Sequence, residues 1–243
     1  MADRLANKVV LVTGASADVG RACSLLLLEK GYTVVGTDPD FPRAGIDERR
    51  FHPIAVNFSD LDSLPGALIR VGRDLPEIEA MILCADAGHI GSLEQISWNQ
   101  VRSTIDSNFT SQAYVVKQFL PQLKQQGYGN IIFIGSESTL NGDRRGAIYN
   151  ASKFALRGLA QALREDCSDT GIRITIINPG LVRNGFIHNL DTRHDIGNII
   201  EPGAVAEAAL EVLQARPGTV FDEINLSPST QVVRVRKTGK PIE

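Results

Sequence analysis

Short, nearly unbroken apolar runs alternate along the chain with longer stretches in which apolar residues recur every three or four positions. The first kind comprises KVVLVT (8–13), TVVGTD (33–38), FHPIAVNF (51–58), AMILCAD (80–86), GNIIFIGS (129–136), IRITIINPG (172–180) and EINLSP (223–228). The second kind comprises residues 19–31, 61–74, 97–127, 149–171 and 202–218. A strand with one wet face alternates polar and apolar residues, whereas one covered on both faces reads as a continuous apolar run. These runs are of the covered sort and are separated by helical patterns. The order predicts an α/β fold: a doubly wound parallel sheet of about seven strands with helices on both faces. No linker, repeat or low-complexity stretch divides the chain, so residues 1–243 are expected to form a single domain.

Two segments carry neither pattern. DPDFPRAGIDERR (38–50) is polar and loop-like. RNGFIHNLDTRHDIGNII (183–200) follows the sixth strand and is too long for a plain connection, so it is expected to close over a ligand as a lid.

Bulk properties remove several function classes. At 243 residues with 43% hydrophobic content, the chain can bury a sizeable core. A net charge of −3 and the lack of a long basic run argue against nucleic acid as a partner. The tail VVRVRKTGK (232–240) is locally basic and is read as solvated or contacting a second subunit. No stretch of about 18 apolar residues occurs, so no membrane span is expected. The first residues lack a signal-peptide pattern, and three scattered cysteines, Cys23, Cys84 and Cys167, suit reduced thiols; a cytoplasmic location is expected. Neither these nor the four histidines have metal-ligand spacing, so no metal site is expected.

The chemistry concentrates in YNASK (149–153). Tyr149 and Lys153 are four residues apart in a helical segment and project from one face. A phenol ordinarily titrates near pH ~10, and a neighbouring cation draws that value down. Such a pair can exchange a proton with an alcohol or carbonyl oxygen. Ser136 closes the fifth apolar run, which places its hydroxyl at the carboxyl end of a strand, where open parallel sheets bind ligands.

TGASADVG (13–20) links the first strand to the first helix. Its glycines permit a tight turn and close backbone approach to a pyrophosphate, which the helix N-terminus attracts. Gly14, Ser16, Asp18, Val19 and Gly20 line this turn. Asp38 ends the second strand, where a carboxylate can accept from adenosine ribose hydroxyls and repel a 2′-phosphate. NAD(H) is therefore preferred, with NADP(H) possible through Arg43; alternatively, Asp38 simply starts a turn before Pro39.

Taken in order, the TGxxxxxG turn, Asn108 in the long helix, Ser136, YNASK and NPGLV (178–182) resemble the short-chain dehydrogenase/reductase family over nearly the whole chain. The resemblance implies a Rossmann fold, alcohol–carbonyl interconversion and a homo-oligomer, tetramer or dimer. It makes Tyr149 the general acid/base. Lys153 tunes the phenol and contacts the nicotinamide ribose, Ser136 polarises the substrate oxygen, and Asn108 holds a water in the proton relay. It extends the cofactor site to Asn57, Phe58, Ala85, Ala87, Gly88, Pro179, Gly180 and Val182.

The chain departs from that pattern at several points. Asp18 replaces the middle glycine of the turn, bringing a charge where pyrophosphate belongs. Like charges about 4 Å apart repel by roughly 1 kcal/mol in water and by more when partly dry. The side chain either turns outward or caps the helix start, or else it weakens cofactor binding. ADAG (85–88) stands for the family's NNAG, so that Asp86 lacks the amide donors. Asn57 replaces an adenine-contacting acid, and Asn184 a threonine.

Arg144 and Arg145 lie between Ser136 and Tyr149 and could pair with a substrate carboxylate or form a solvated turn. With Ser138, Phe186 and His188 they suggest a small or medium polar alcohol or carbonyl compound as substrate. Two other classes remain: a catalytically silent dinucleotide-binding protein on this scaffold, and an epimerase or dehydratase.

Overall fold

A computed structural model describes residues 8–41, 46, 49–74, 77–142, 144–183, 199–229 and the backbone of 194–196 and 233–235. Seven parallel strands form the main sheet: β1 (Val9–Thr13), β2 (Thr33–Asp38), β3 (Phe51–Ala55), β4 (Ala80–Leu83), β5 (Gly129–Ile134), β6 (Ile172–Pro179) and β8 (Glu223–Leu226). Their spatial order is β3-β2-β1-β4-β5-β6-β8. The order reverses between β1 and β4, and at such a switch point two loops part at the carboxyl ends of the strands and leave a crevice.

Successive strand residues face opposite sides, so each run feeds two cores. Val9, Leu11, Met81, Leu83, Ile131, Phe133, Ile174 and Ile176 pack on one side. There they meet α2 (Leu64–Asp74), α4 (Ser111–Gln126) and α5 (Ala147–Asp166) through Leu68, Phe119 and Leu156. Val10, Val12, Ile82, Ile132, Ile134 and Ile177 pack on the other, against α1 (Asp18–Glu29) and α6 (Pro202–Leu213) through Leu27 and Ala209. Fully covering both faces is what the unbroken apolar runs require.

The helix expected over 97–127 is three pieces in one rod. A capping box between Ser97 and Gln100 starts α3 (Trp98–Ile105), a π-helical turn follows at Asp106–Thr110, and α4 completes the rod. Gly127, with φ of 73°, ends it in the left-handed conformation that glycine takes readily. The helix expected to reach residue 171 stops at Asp166. Ser168 and Thr170 donate their hydroxyls to the carbonyls of Glu165 and Cys167 at 3.0 and 2.8 Å, a local alternative to further helix. Strand β4 ends at Leu83 rather than running to 86, because the backbone N–H groups of Cys84 and Ala85 turn to the Thr13 hydroxyl at 3.0 and 3.1 Å.

A second, two-stranded sheet was not expected. β7 (His194–Ile196) pairs antiparallel with β9 (Val233–Val235), joining the segment expected as a lid to the basic tail. The segment's two ends are also tied together. Arg183 donates its N–H to the Ile200 carbonyl at 2.8 Å and its guanidinium meets Glu201 at 2.7 Å. Residues 184–193, and with them Asn184, Phe186 and His188, lie outside the described residues, as does Arg43.

Candidate active site

At the β1–α1 turn, Gly14 has φ of +66°. A Cβ there would lie 3.2 Å from the Ala85 nitrogen, and one on Gly20 would collide with the Gly14 carbonyl oxygen. The turn is thus closed against the start of α1 as tightly as backbone allows, and both positions exclude side chains. These residues fit a pyrophosphate: the loop lies at the switch point and leads straight into a helix N-terminus. Asp38 reaches the loop, its Oδ2 accepting from the Ser16 N–H at 3.3 Å.

Asp18 is exposed and has φ of 47°, inside the left-handed region that glycine adopts without cost and aspartate tolerates better than most residues. It does not cap the helix. The N-cap is Ala17, which has no side chain able to do so. Val19 is half-buried against the α1–α6 core. Asn57 is exposed, its Oδ1 accepting from the Ser59 N–H at 3.0 Å in a local turn. The Phe58 side chain is buried in the core with Val56 and Leu64, which leaves its backbone as the part able to meet a cofactor.

Across the switch point, α5 presents Tyr149 and Lys153 together, with Lys153 Nζ 5.5 Å from the centre of the phenol ring. Lys153 is fully buried, and its Nζ donates to the Ile134 carbonyl at 3.4 Å. Asp86 Oδ2 lies 3.1 Å from that Nζ and accepts from the Tyr149 hydroxyl at 3.2 Å.

Asn108 sits in the π-helical turn and is fully buried. Its Oδ1 accepts from the Ala87 N–H at 2.7 Å, and its Nδ2 donates to Ser152 Oγ at 3.1 Å. Ser152 in turn donates to the Tyr149 carbonyl at 2.7 Å. Gln112, one α4 turn further, donates to the Ala85 carbonyl at 2.8 Å. The ADAG segment is thus pinned by two amides from one rod, and Gly88 follows it.

Ser136 lies two residues beyond β5, its Oγ accepting from the Ser138 N–H at 3.2 Å at the start of a single 3-10 turn. Ser138 itself is buried. Arg144 and Arg145 are exposed; Arg145 has φ of 63°, and its carbonyl accepts from the Gly91 N–H at 2.8 Å. Pro179 and Gly180 close β6, the Gly180 N–H donating to the Leu226 carbonyl at 2.7 Å. A Cβ on Gly180 would lie 3.1 Å from a Glu137 carboxylate oxygen, so Glu137 adds an anion to this wall. Val182 is buried. Cys84, between Thr13 and Asp86, has its thiol pushed well above its ordinary range by the neighbouring Cys23 thiol and by burial. It is a poor nucleophile there.

The structure brings Asn108, Tyr149 and Lys153 together through Ser152, Asp86 and the ADAG segment, whose Ala85 also packs on Gly14 of the glycine turn, while Ser136 stands just beyond the carboxyl end of β5. Sequence reasoning missed Asp86 as a partner of both Tyr149 and Lys153. Its signal was present, a carboxylate where the resembled family has an amide, but the target of that carboxylate was not. Ser152 and Thr13 left no sequence signal beyond their polarity. Among the described residues no helix is long and apolar enough to cross a membrane, and no cluster of three potential metal ligands occurs.

Comparisons with known proteins bear on the fold and the family. An uncharacterised oxidoreductase of Staphylococcus saprophyticus is 25% identical over 232 residues, covering 92% of this chain and 98% of its own. A short-chain dehydrogenase/reductase of Penicillium canescens is 28% identical over 253 residues, covering 98% and 96%. Among solved structures, a 3-ketoacyl-(acyl-carrier-protein) reductase from Brucella melitensis with NADH superposes with a TM-score of 0.82 at 18% identity, covering 93% of this chain and 98% of that one. A 4-hydroxyisoleucine dehydrogenase with NADH gives 0.81 at 19%, covering 91% and 98%. These structural likenesses establish the Rossmann fold. The family model described as short chain dehydrogenase matches residues 8–195, and the chain belongs to that family of oxidoreductases.

Proposed function

We propose that the protein is an NAD(H)-dependent oxidoreductase that interconverts an alcohol and a carbonyl group on a small or medium polar substrate. The observation that carries this reading is the fully buried Lys153 beside the Tyr149 phenol, joined to Asp86 one residue beyond the Ala85 that packs on the glycine turn. A lysine that dry persists only where its charge is compensated and its hydrogen bonds are made.

Tyr149 transfers the proton to or from the substrate oxygen. Lys153 holds the phenol by charge and offers its ammonium to a nicotinamide ribose. Ser136 orients the substrate oxygen, and Asn108 ties the ADAG segment to α5 through Ser152. Gly14, Ser16 and Gly20 would hold the pyrophosphate and Asp38 the adenosine ribose, with Ala85, Ala87, Gly88, Pro179 and Gly180 around the remainder. A bound nicotinamide supplies or accepts the hydride. The Asp38 carboxylate, already fixed at the loop, supports NAD over NADP.

An apolar groove on α4 and α5, lined by Val116, Leu120, Pro121, Leu159 and Leu163, supports assembly as a homo-oligomer. The test of function is a panel of ketones, hydroxy acids, sugars and polyols with NAD and NADP, followed by reduced-nicotinamide absorbance. Turnover of polar substrates with NAD is the expected result. Turnover confined to bulky apolar alcohols would overturn the substrate class, and dinucleotide binding without turnover across the panel would favour the silent protein.

A further inference from the structure

Asp86 lies where the chain leaves β4, on the crevice side of Cys84 and Ala85. A single oxygen, Oδ2, serves both Lys153 Nζ at 3.1 Å and the Tyr149 hydroxyl at 3.2 Å. The two ends of this pairing differ in setting: the Lys153 side chain is 1% exposed and that of Asp86 39%. The carboxylate therefore meets water on one side and the buried ammonium on the other.

Resting on the oxidoreductase reading above, we propose that Asp86 is a third member of the proton-handling group. It gathers Tyr149 and Lys153 on one oxygen atom and keeps the transferable proton on the phenol, so that the site is poised to give a proton to a carbonyl oxygen.

Three effects point the same way. A hydrogen bond from the phenol to a carboxylate favours the neutral phenol. An anion at contact distance disfavours the phenolate. The ammonium that would stabilise the phenolate is already shared with Asp86. In the reductive direction the carbonyl π bond breaks, its carbon receives a hydride from a reduced nicotinamide, and its oxygen receives the Tyr149 proton. The phenolate left behind faces the Asp86 carboxylate and recovers a proton from water, which reaches that carboxylate.

Other charged or titratable groups flank the site on every neighbouring element. Cys84 and His89 stand on the Asp86 segment itself, with His89 Nδ1 3.1 Å from the Thr104 hydroxyl. Arg102 and Asp106, on α3 and the π-helical turn, meet each other at 3.7 Å. Glu137 stands on the turn after β5, and Arg144 and Arg145 precede α5, whereas Arg173 of β6 lies at the opposite end of that strand, bonded to the Ala215 carbonyl. Lys153 and Tyr149 hold Asp86 Oδ2 at 3.1 and 3.2 Å, so the bridging carboxylate is the group to alter.

The test is an ultraviolet titration of tyrosinate in the protein without cofactor. The same titration of Tyr149→Phe is subtracted to remove Tyr32, Tyr114 and Tyr128. Asp86→Asn keeps the shape and restores the amide of the resembled family. It is expected to lower the Tyr149 midpoint by about one pH unit or more. With a substrate found by the panel, the oxidative limb of the pH–rate profile should move down by the same amount. An unchanged or raised midpoint in both Asp86→Asn and Asp86→Ala overturns the proposal, whatever the turnover. A panel without turnover overturns the oxidoreductase reading alone, and the titration still decides the role of Asp86.

Discussion

Around Tyr149 and Lys153, polar neighbours are bound to one another. Lys153 bonds Asp86 and Ile134, Asn108 bonds Ala87 and Ser152, and Ser152 bonds Tyr149. At the other end of the crevice Asp18 and Asn57 stand exposed, and Asp18 sits in a backbone conformation that suits glycine. The departures from the family pattern divide along the same line. At the glycine turn a foreign side chain is accommodated by pointing into water. Asp86 is exposed on one side as well, yet it is drawn into the bonding scheme, because on its other side it lies 3.1 Å from a buried ammonium that needs a partner. What separates the two positions is a buried charge within reach, which Asp86 has in Lys153.

The sharpest break of this contrast is Tyr149→Phe. It removes the transferable proton and little else, so turnover should fall by about 10²–10⁴-fold while dinucleotide affinity, read by fluorescence titration, stays nearly constant. Retained turnover would take Tyr149 out of the mechanism.

Gly20→Ala attacks the other end where it is not tolerant. The new Cβ meets the Gly14 carbonyl oxygen, which belongs to backbone and cannot swing aside. Such overpacking costs about 1–3 kcal/mol, and the shifted turn should weaken dinucleotide binding at least tenfold by a rough estimate. A normal melting temperature together with normal affinity would show that the turn is looser than described.

Asp18→Gly should act gently. It relieves a left-handed residue, a gain of about 1–2 kcal/mol at most, against about 0.5–1 kcal/mol of extra freedom in the unfolded chain. Thermal stability should therefore rise by no more than about 1.5 kcal/mol, and dinucleotide binding should tighten if the carboxylate faces the pyrophosphate. Unchanged affinity would show that the carboxylate faces away from the pyrophosphate.

The smallest effect belongs to a pair outside both regions. Arg157 on α5 holds Glu223 of β8 through two bonds, at 2.9 and 3.0 Å. The Arg157 hydrogen bond is the main cause that holds the Glu223 carboxyl below its ordinary value of 4.5. A lowered carboxyl stabilises the fold above its unfolded value, and that contribution disappears as pH falls through the folded value. Glu223→Gln should thus cost no more than about 1 kcal/mol near neutrality. Denaturant melts should converge with those of the parent protein in acid.

Much of the architecture could be read from the chain, for a physical reason. Strands covered on both faces must be apolar throughout, so the five inner strands show as runs, while the edge strands β3 and β8 are only partly buried and carry polar residues. Tyr149 and Lys153 were legible because helical spacing alone sets them side by side. Other features depend on distant parts of the chain. The partnership of Asp86 with α5 follows from β4 lying beside β5. The pairing of β7 with β9 joins segments whose local pattern is weak. The π-helical turn was invisible because DSNFT has no composition that separates a wide turn from an ordinary helical one.

That wide turn has a consequence for how the family can vary. A π turn amounts to one surplus residue in an otherwise regular rod. Loss of a single residue between Asp106 and Thr110 would let the rod close into plain α-helix, leaving Phe119 and Leu123 seated as before while swinging the Asn108 amide off its targets. A length change of one could then leave the scaffold standing and disconnect its chemistry, so the spacing of this helix is a more telling mark of a working relative than overall resemblance.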